Sequence, residues 1–171
     1  MHRIESRIRA IPDFPKPGIL FRDITPVLGD PEAMAIAIDA LTAPFHDRGV
    51  SAVAGMEARG FIFGALVAQA LNVGFVPLRK PGKLPYEVTK IDYDLEYGSA
   101  SLEVHRDAVV PGDKVLVVDD LLATGGTALA ACELIEALGA EVVSCAFLIE
   151  LNGLGGRERL GPRALHSVLS Y

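Results

Sequence analysis

The segment Val115-Leu-Val-Val-Asp-Asp-Leu-Leu-Ala-Thr-Gly-Gly-Thr127 admits few folds. Its apolar run, Val115 to Val118, predicts a strand buried on both faces, as in a parallel sheet. Two adjacent acids, Asp119 and Asp120, stand where that strand is expected to end. The small residues Ala123-Thr124-Gly125-Gly126-Thr127 then lead into an Ala-rich stretch that predicts a helix to about Leu138. A strand that opens through small residues into a helix leaves backbone N–H groups aimed at open space, and such an array holds a phosphate. Gly125 and Gly126 let the backbone approach an anion, and Thr124 and Thr127 add hydroxyl donors. Asp119 and Asp120 have no packing reason to be adjacent there. Beside a phosphate loop they suit the hydroxyls of a phosphorylated sugar.

Two common nucleotide loops are excluded. A Walker loop needs Lys after its last glycine, and Thr127 and Ala128 stand there instead. The dinucleotide fingerprint is approached only by Gly153-Leu-Gly-Gly-Arg-Glu158, which lacks the last glycine.

The rest of the chain alternates. Asp30-Pro31-Glu32 reads as the start of a helix to about Phe45. Short apolar strands are expected at 51–55, 73–78, 142–149 and 166–169, and a second helix at 61–71. Residues 86–106 alternate weakly and predict a two-stranded excursion with its tip between Asp92 and Ser101. The expectation is one α/β domain over residues 1–171, a doubly wound, mostly parallel sheet with flanking helices. In such sheets ligands sit beyond the carboxyl ends of the strands.

The net charge of −6 argues against a nucleic-acid surface. No apolar run is long enough to cross a membrane, and the charged N-terminus lacks the core of a signal peptide. Cys132 and Cys145 fall in apolar stretches and read as buried free thiols, so the expectation is a cytoplasmic protein. His2, His46, His105 and His166 share no ligand spacing. Binding a polyanion therefore demands local positive charge.

Two segments offer it. Arg59 sits in Glu57-Ala-Arg-Gly-Phe61, at another strand-to-helix junction, where Arg suits bidentate phosphate recognition. Capping of Arg59 by its neighbour Glu57 is the other reading. Arg79, Lys80 and Lys83 crowd a turn stiffened by Pro77, Pro81 and Gly82, either as a solvated turn or as an anion site.

The acidic pair with its Thr/Gly loop resembles the phosphoribosyl-pyrophosphate (PRPP) motif of type I phosphoribosyltransferases. Phe21-Arg-Asp-Ile-Thr-Pro-Val-Leu28, Glu57-Ala-Arg-Gly-Phe61, Arg79-Lys-Pro-Gly-Lys83 and Leu95-Glu-Tyr-Gly98 occur in order with that motif. Together they resemble the adenine-specific branch of the family, from about residue 10 to the end.

The resemblance implies a purine salvage reaction in which adenine and PRPP give AMP and pyrophosphate with Mg²⁺. It implies that residues 1–30 contribute a hood and that about 86–106 form a lid. The Ala123–Thr127 loop would hold the 5′-phosphate, while Asp119 and Asp120 address the ribose, directly or through Mg²⁺. Arg59, Arg79, Lys80 and Lys83 would carry the leaving pyrophosphate. Glu96 would act on the base as acid/base or as its hydrogen-bond partner, with Tyr97 beside it; a solvated lid carboxylate is the other reading. Phe21 would stack on adenine, unless it is plain core. Backbone groups of Leu20 and Arg22 would read the base edge, and Leu151 would close the other side. Glu150 is a weaker site candidate. The resemblance also implies a cis peptide at Glu57–Ala58 and a homodimer in which the basic turn lies near the partner's site.

A phosphoribosyltransferase for a 6-oxopurine would need a donor to the oxo group, and Cys145–Leu151 offers no lysine. A non-catalytic PRPP-binding regulator would need a nucleic-acid face, which the acidic balance disfavours.

Overall fold

The structure, a computed structural model, describes residues 1–94 and 98–171. Glu96 and Tyr97, both expected in the site, lie outside the described residues. The chain divides into two compact units, Met1–Ala40 and Leu41–Tyr171.

The first unit opens with α1 (His2–Glu5) and continues into a hairpin of β1 (Arg9–Pro12) and β2 (Leu20–Asp23). The short helix α2 (Thr25–Leu28) follows, and α3 (Pro31–Thr42) begins. Asp30 starts α3 as the sequence predicts, accepting from the N–H groups of Glu32 and Ala33, both at 3.1 Å. It also accepts from Arg3 at 3.1 Å and Arg7 at 2.9 Å. The Ala33 bond and then Arg3 hold its carboxyl down at about 2.

In the second unit a 3₁₀ turn, Ala43–Phe45, precedes β3 (Ala52–Met56), α4 (Gly60–Leu71) and β4 (Gly74–Leu78). An antiparallel pair follows, β5 (Val88–Asp94) and β6 (Ser99–His105). The chain then returns through β7 (Lys114–Leu122), α5 (Gly126–Ala137), β8 (Glu141–Glu150), α6 (Gly156–Arg159) and β9 (Leu165–Ser170). The five-stranded sheet has the order β4-β3-β7-β8-β9, and every neighbouring pair is parallel.

Successive residues of a strand face opposite sides. On one side Ala54, Met56, Val76, Val117, Cys145 and Phe147 pack with Ala131, Leu134 and Ile135 of α5 in one apolar cluster. On the other side Gly55 and Phe75 meet α4: a Cβ on Gly55 would stand 2.6 Å from the Phe75 ring and 2.9 Å from the Gly60 carbonyl oxygen. Cys132 and Cys145 are both free and fully buried, with their sulfurs 3.3 Å apart.

One expectation is corrected. Asp119 and Asp120 do not follow the strand; β7 runs through both and on to Leu122. The reason is β8, which continues to pair with it through Leu122↔Glu150. On the other flank β3 stops pairing at Gly55↔Val118 and turns away toward α4. The acids are thus held by one neighbour and uncovered by the other.

Candidate active site

From β3 the chain steps outward to β4, then crosses back to β7 on the other side. The crevice between the carboxyl ends of β3 and β7 is therefore the switch point of the sheet, where ligands bind in this architecture. Glu57, Ala58, Arg59, Asp119, Asp120 and Thr127 line a cavity of ≈ 290 Å³ there. The Glu57–Ala58 peptide is cis, as the resemblance implies.

Arg59 Nε meets Asp120 Oδ2 at 2.6 Å, and the Asp120 side chain is only 8% exposed. The Asp120 N–H donates to Asp119 Oδ1 at 2.8 Å. Burial first, and the adjacent Asp120 charge second, push the Asp119 carboxyl well above its usual range. Gly60, the first residue of α4, makes this packing possible, since a Cβ there would stand 2.7 Å from Asp119 Oδ1.

The phosphate loop borders a second, smaller cavity of ≈ 110 Å³, lined by Asp119 and by 121–128. Gly125 precedes α5 with a φ of 78°, and among the described residues no side chain caps the helix start. A Cβ at Gly125 would stand 2.7 Å from the Gly156 carbonyl oxygen, and a Cβ at Gly156 would overlap the Ala123 carbonyl oxygen. Loop and buttress interlock backbone to backbone. No local pattern announces this; Gly155-Gly156 reads only as a failed fingerprint.

Glu150 belongs to the same buttress. Its carboxylate accepts from Arg157 Nε at 2.9 Å, Arg157 Nη2 at 2.6 Å and Ser167 Oγ at 2.7 Å. It ties the end of β8 to α6 and β9. The antiparallel pair also reaches the loop, through Tyr93 Oη, 3.3 Å from Thr127 Oγ1. Arg159 Nη2 donates to the Asp94 carbonyl oxygen at 3.3 Å.

The basic turn joins the site through Glu57, which accepts from Arg79 Nε at 3.2 Å, the Lys80 N–H at 3.1 Å, and Lys83 Nζ. The Arg79 guanidinium also lies 5.9 Å from the centre of the Phe61 ring.

Among the expected residues, Arg59, Asp119, Asp120 and Thr127 thus share one cavity, with Ala123, Thr124, Gly125 and Gly126 bordering the next. Arg79, Lys80 and Lys83 are gathered by Glu57. Leu151 is half-buried just past β8, its N–H donating to Leu122 O at 2.9 Å. Leu20, Phe21 and Arg22 lie on β2 of the first unit, where Phe21 meets Phe14 edge to face at 5.1 Å. Among the described residues no group of three or more His, Cys, Asp or Glu side chains could hold a metal by itself.

Residues 28–164 match the model of the phosphoribosyl transferase domain. Over all 171 residues, and the whole of the relative, the chain is 67% identical to an adenine phosphoribosyltransferase of Methylococcus capsulatus. An adenine phosphoribosyltransferase structure from Thermoanaerobacter pseudethanolicus superposes with a TM-score of 0.96 at 51% identity, covering 99% of each chain. The Saccharomyces cerevisiae enzyme, solved with an imino-altritol bisphosphate and adenine, superposes with a TM-score of 0.93 at 41% identity, covering 98% of this chain and 97% of that one.

Proposed function

The chain belongs to the phosphoribosyltransferase family, in its adenine branch, and from that premise we propose how its residues divide the reaction. It is a glycosyl-transferring enzyme of purine salvage that moves the 5-phosphoribosyl group from PRPP to adenine, giving AMP and pyrophosphate. The observation that carries this reading is an open phosphate loop and an acidic pair at the switch point of a chain 67% identical, end to end, to an adenine enzyme.

In our reading the Ala123–Thr127 loop anchors the 5′-phosphate through its N–H groups and threonine hydroxyls. Asp119 and Asp120 address the ribose hydroxyls, and negative charge on the pair favours the cationic ribose that develops as its bond to pyrophosphate breaks. Arg59, Arg79, Lys80 and Lys83 receive the departing charge. The base nitrogen attacks the ribose carbon, and Glu96 takes up the proton adenine loses. Residues 1–30 act as a hood in which Phe21 stacks on adenine, Leu20 and Arg22 read its edge, and Leu151 closes the opposite face, with Tyr97 beside Glu96.

The carboxylates of Asp119 and Asp120 are hard oxygen donors, too few to cage an ion alone, and this fits Mg²⁺ that takes its remaining ligands from PRPP and water. Such an ion would neutralise pyrophosphate charge. We also propose a cytoplasmic homodimer. Ile62 and Leu66, 41% and 37% exposed, form an apolar stripe on the outer face of α4, suited to a second copy. The basic turn would then lie near the partner's site. No described helix is long and apolar enough to cross a membrane.

The test is PRPP-dependent nucleotide formation with adenine, hypoxanthine and guanine. Adenine should be used far better than either 6-oxopurine. Equal turnover of a 6-oxopurine overturns the adenine assignment.

A further inference from the structure

Three of the cations expected to receive pyrophosphate, Arg59, Arg79 and Lys83, are already answered by carboxylates of the protein. Glu57, at the end of β3, has a side chain only 10% exposed and gathers Arg79 and Lys83. Glu103 of β6 holds the same turn differently, exchanging backbone hydrogen bonds with Arg79 at 2.9 and 2.8 Å and accepting from the Gly82 N–H at 2.9 Å. Glu103 therefore fixes the backbone of the turn, and Glu57 takes its cationic heads. The same division recurs inside the cavity, where Arg59 is held by Asp120.

We propose that Glu57 is an internal counter-ion that occupies Arg79 and Lys83 in place of pyrophosphate, and so sets how tightly pyrophosphate is held and how fast it leaves. This rests on the reading of the site given above. A cationic head that donates to one carboxylate is not free to donate fully to a phosphate oxygen. Pyrophosphate binding is then an exchange of anions, and its net affinity is reduced by the cost of displacing Glu57. The reverse exchange favours release. As pyrophosphate withdraws, a carboxylate on the same scaffold re-pairs by side-chain rotation, which is fast compared with turnover. The cations are never left bare, and Lys83 and Arg79 can carry the leaving group's charge without trapping the product. The argument holds for whichever copy's site the turn serves in a dimer.

A counter-ion and a mere scaffold predict opposite outcomes for Glu57→Gln. If Glu57 only holds the turn in shape, the variant binds pyrophosphate more weakly. If it competes with pyrophosphate, the variant binds it more tightly, by roughly fivefold or more. Calorimetric titration of the full-length parent and variant with inorganic pyrophosphate reads this directly. Ribose 5-phosphate, which should bind both equally, reports an intact phosphate loop. Transient kinetics should show slower pyrophosphate release in Glu57→Gln than in the parent. Glu57→Asp keeps the charge but shortens the reach, and it should tighten pyrophosphate partially; it serves if the glutamine variant does not fold. Unchanged or weakened pyrophosphate affinity in the folded variants overturns the proposal. A parent that binds ribose 5-phosphate but no pyrophosphate removes the functional reading itself, and the proposal with it.

Discussion

At the scale of single residues, the site pairs Arg59 with Asp120, and Arg79 and Lys83 with Glu57. Glu57 carries a signature of this in its ionisation. Lys83 first, with the Lys80 N–H and Arg79, draws its carboxyl from an ordinary 4.5 down to about 2. A carboxyl depressed on folding stabilises the fold fully above its unfolded value and loses that contribution as pH falls from about 4.5 toward 2. Arg79 and Lys83 are 32% and 45% exposed, so the contribution is screened to about 1–2 kcal/mol. Denaturation of parent and Glu57→Gln should therefore differ by that amount at pH 7, and the difference should shrink as pH falls from about 4.5 toward 2. Glu96 is the second residue-scale case. Replacing it with Gln keeps the size and removes the charge, so single-turnover chemistry should slow by roughly 10- to 1000-fold while PRPP affinity holds. An unchanged chemical step leaves Glu96 as a solvated lid carboxylate.

At the scale of elements, the phosphate loop depends on a partner that is distant in sequence. Gly125 has a positive φ and faces the Gly156 backbone, whereas a Cβ at Gly126 would find the Asp94 carbonyl oxygen at 3.3 Å and Arg159 at 3.4 Å. The two glycines should respond differently to valine. Gly125→Val should abolish PRPP binding and also cost about 1–3 kcal/mol of stability, through backbone strain and displaced α6. Gly126→Val should weaken PRPP binding with a smaller loss of stability. Calorimetry and thermal melts measure both, and equal melting temperatures would argue that α6 does not support the loop. This contrast marks what sequence alone conveys. The acidic pair, the Thr/Gly loop and the Asp30 helix start are legible because their chemistry lies within a few consecutive residues. The interlock of Gly125 with Gly156, and the role of Glu150 in fixing Arg157, join positions that no local pattern connects. The β1–β2 hairpin is equally silent: β1 is exposed throughout, and Pro15 and Pro17 interrupt the connection, so no alternation announces it. β7 outlasts its own apolar run for a related reason, since its end is set by pairing with β8.

At the scale of the whole molecule, the α4 stripe bears on assembly. Leu66→Glu places a charge on an apolar face that the proposed homodimer would bury. Sedimentation should show the parent as a dimer and the variant shifted toward monomer, with reduced activity at low concentration. A fully active parent monomer overturns the composite site. The interior has its own consequence for experiment. The chain has two cysteines, both fully buried, and the Cys145 thiol is pushed far upward by Cys132 beside it and by burial. To a maleimide the native protein is therefore unreactive while folded. A single cysteine introduced at exposed Ser99 would be its sole addressable thiol, so a fluorophore could report on β6 during turnover without any native residue first being removed.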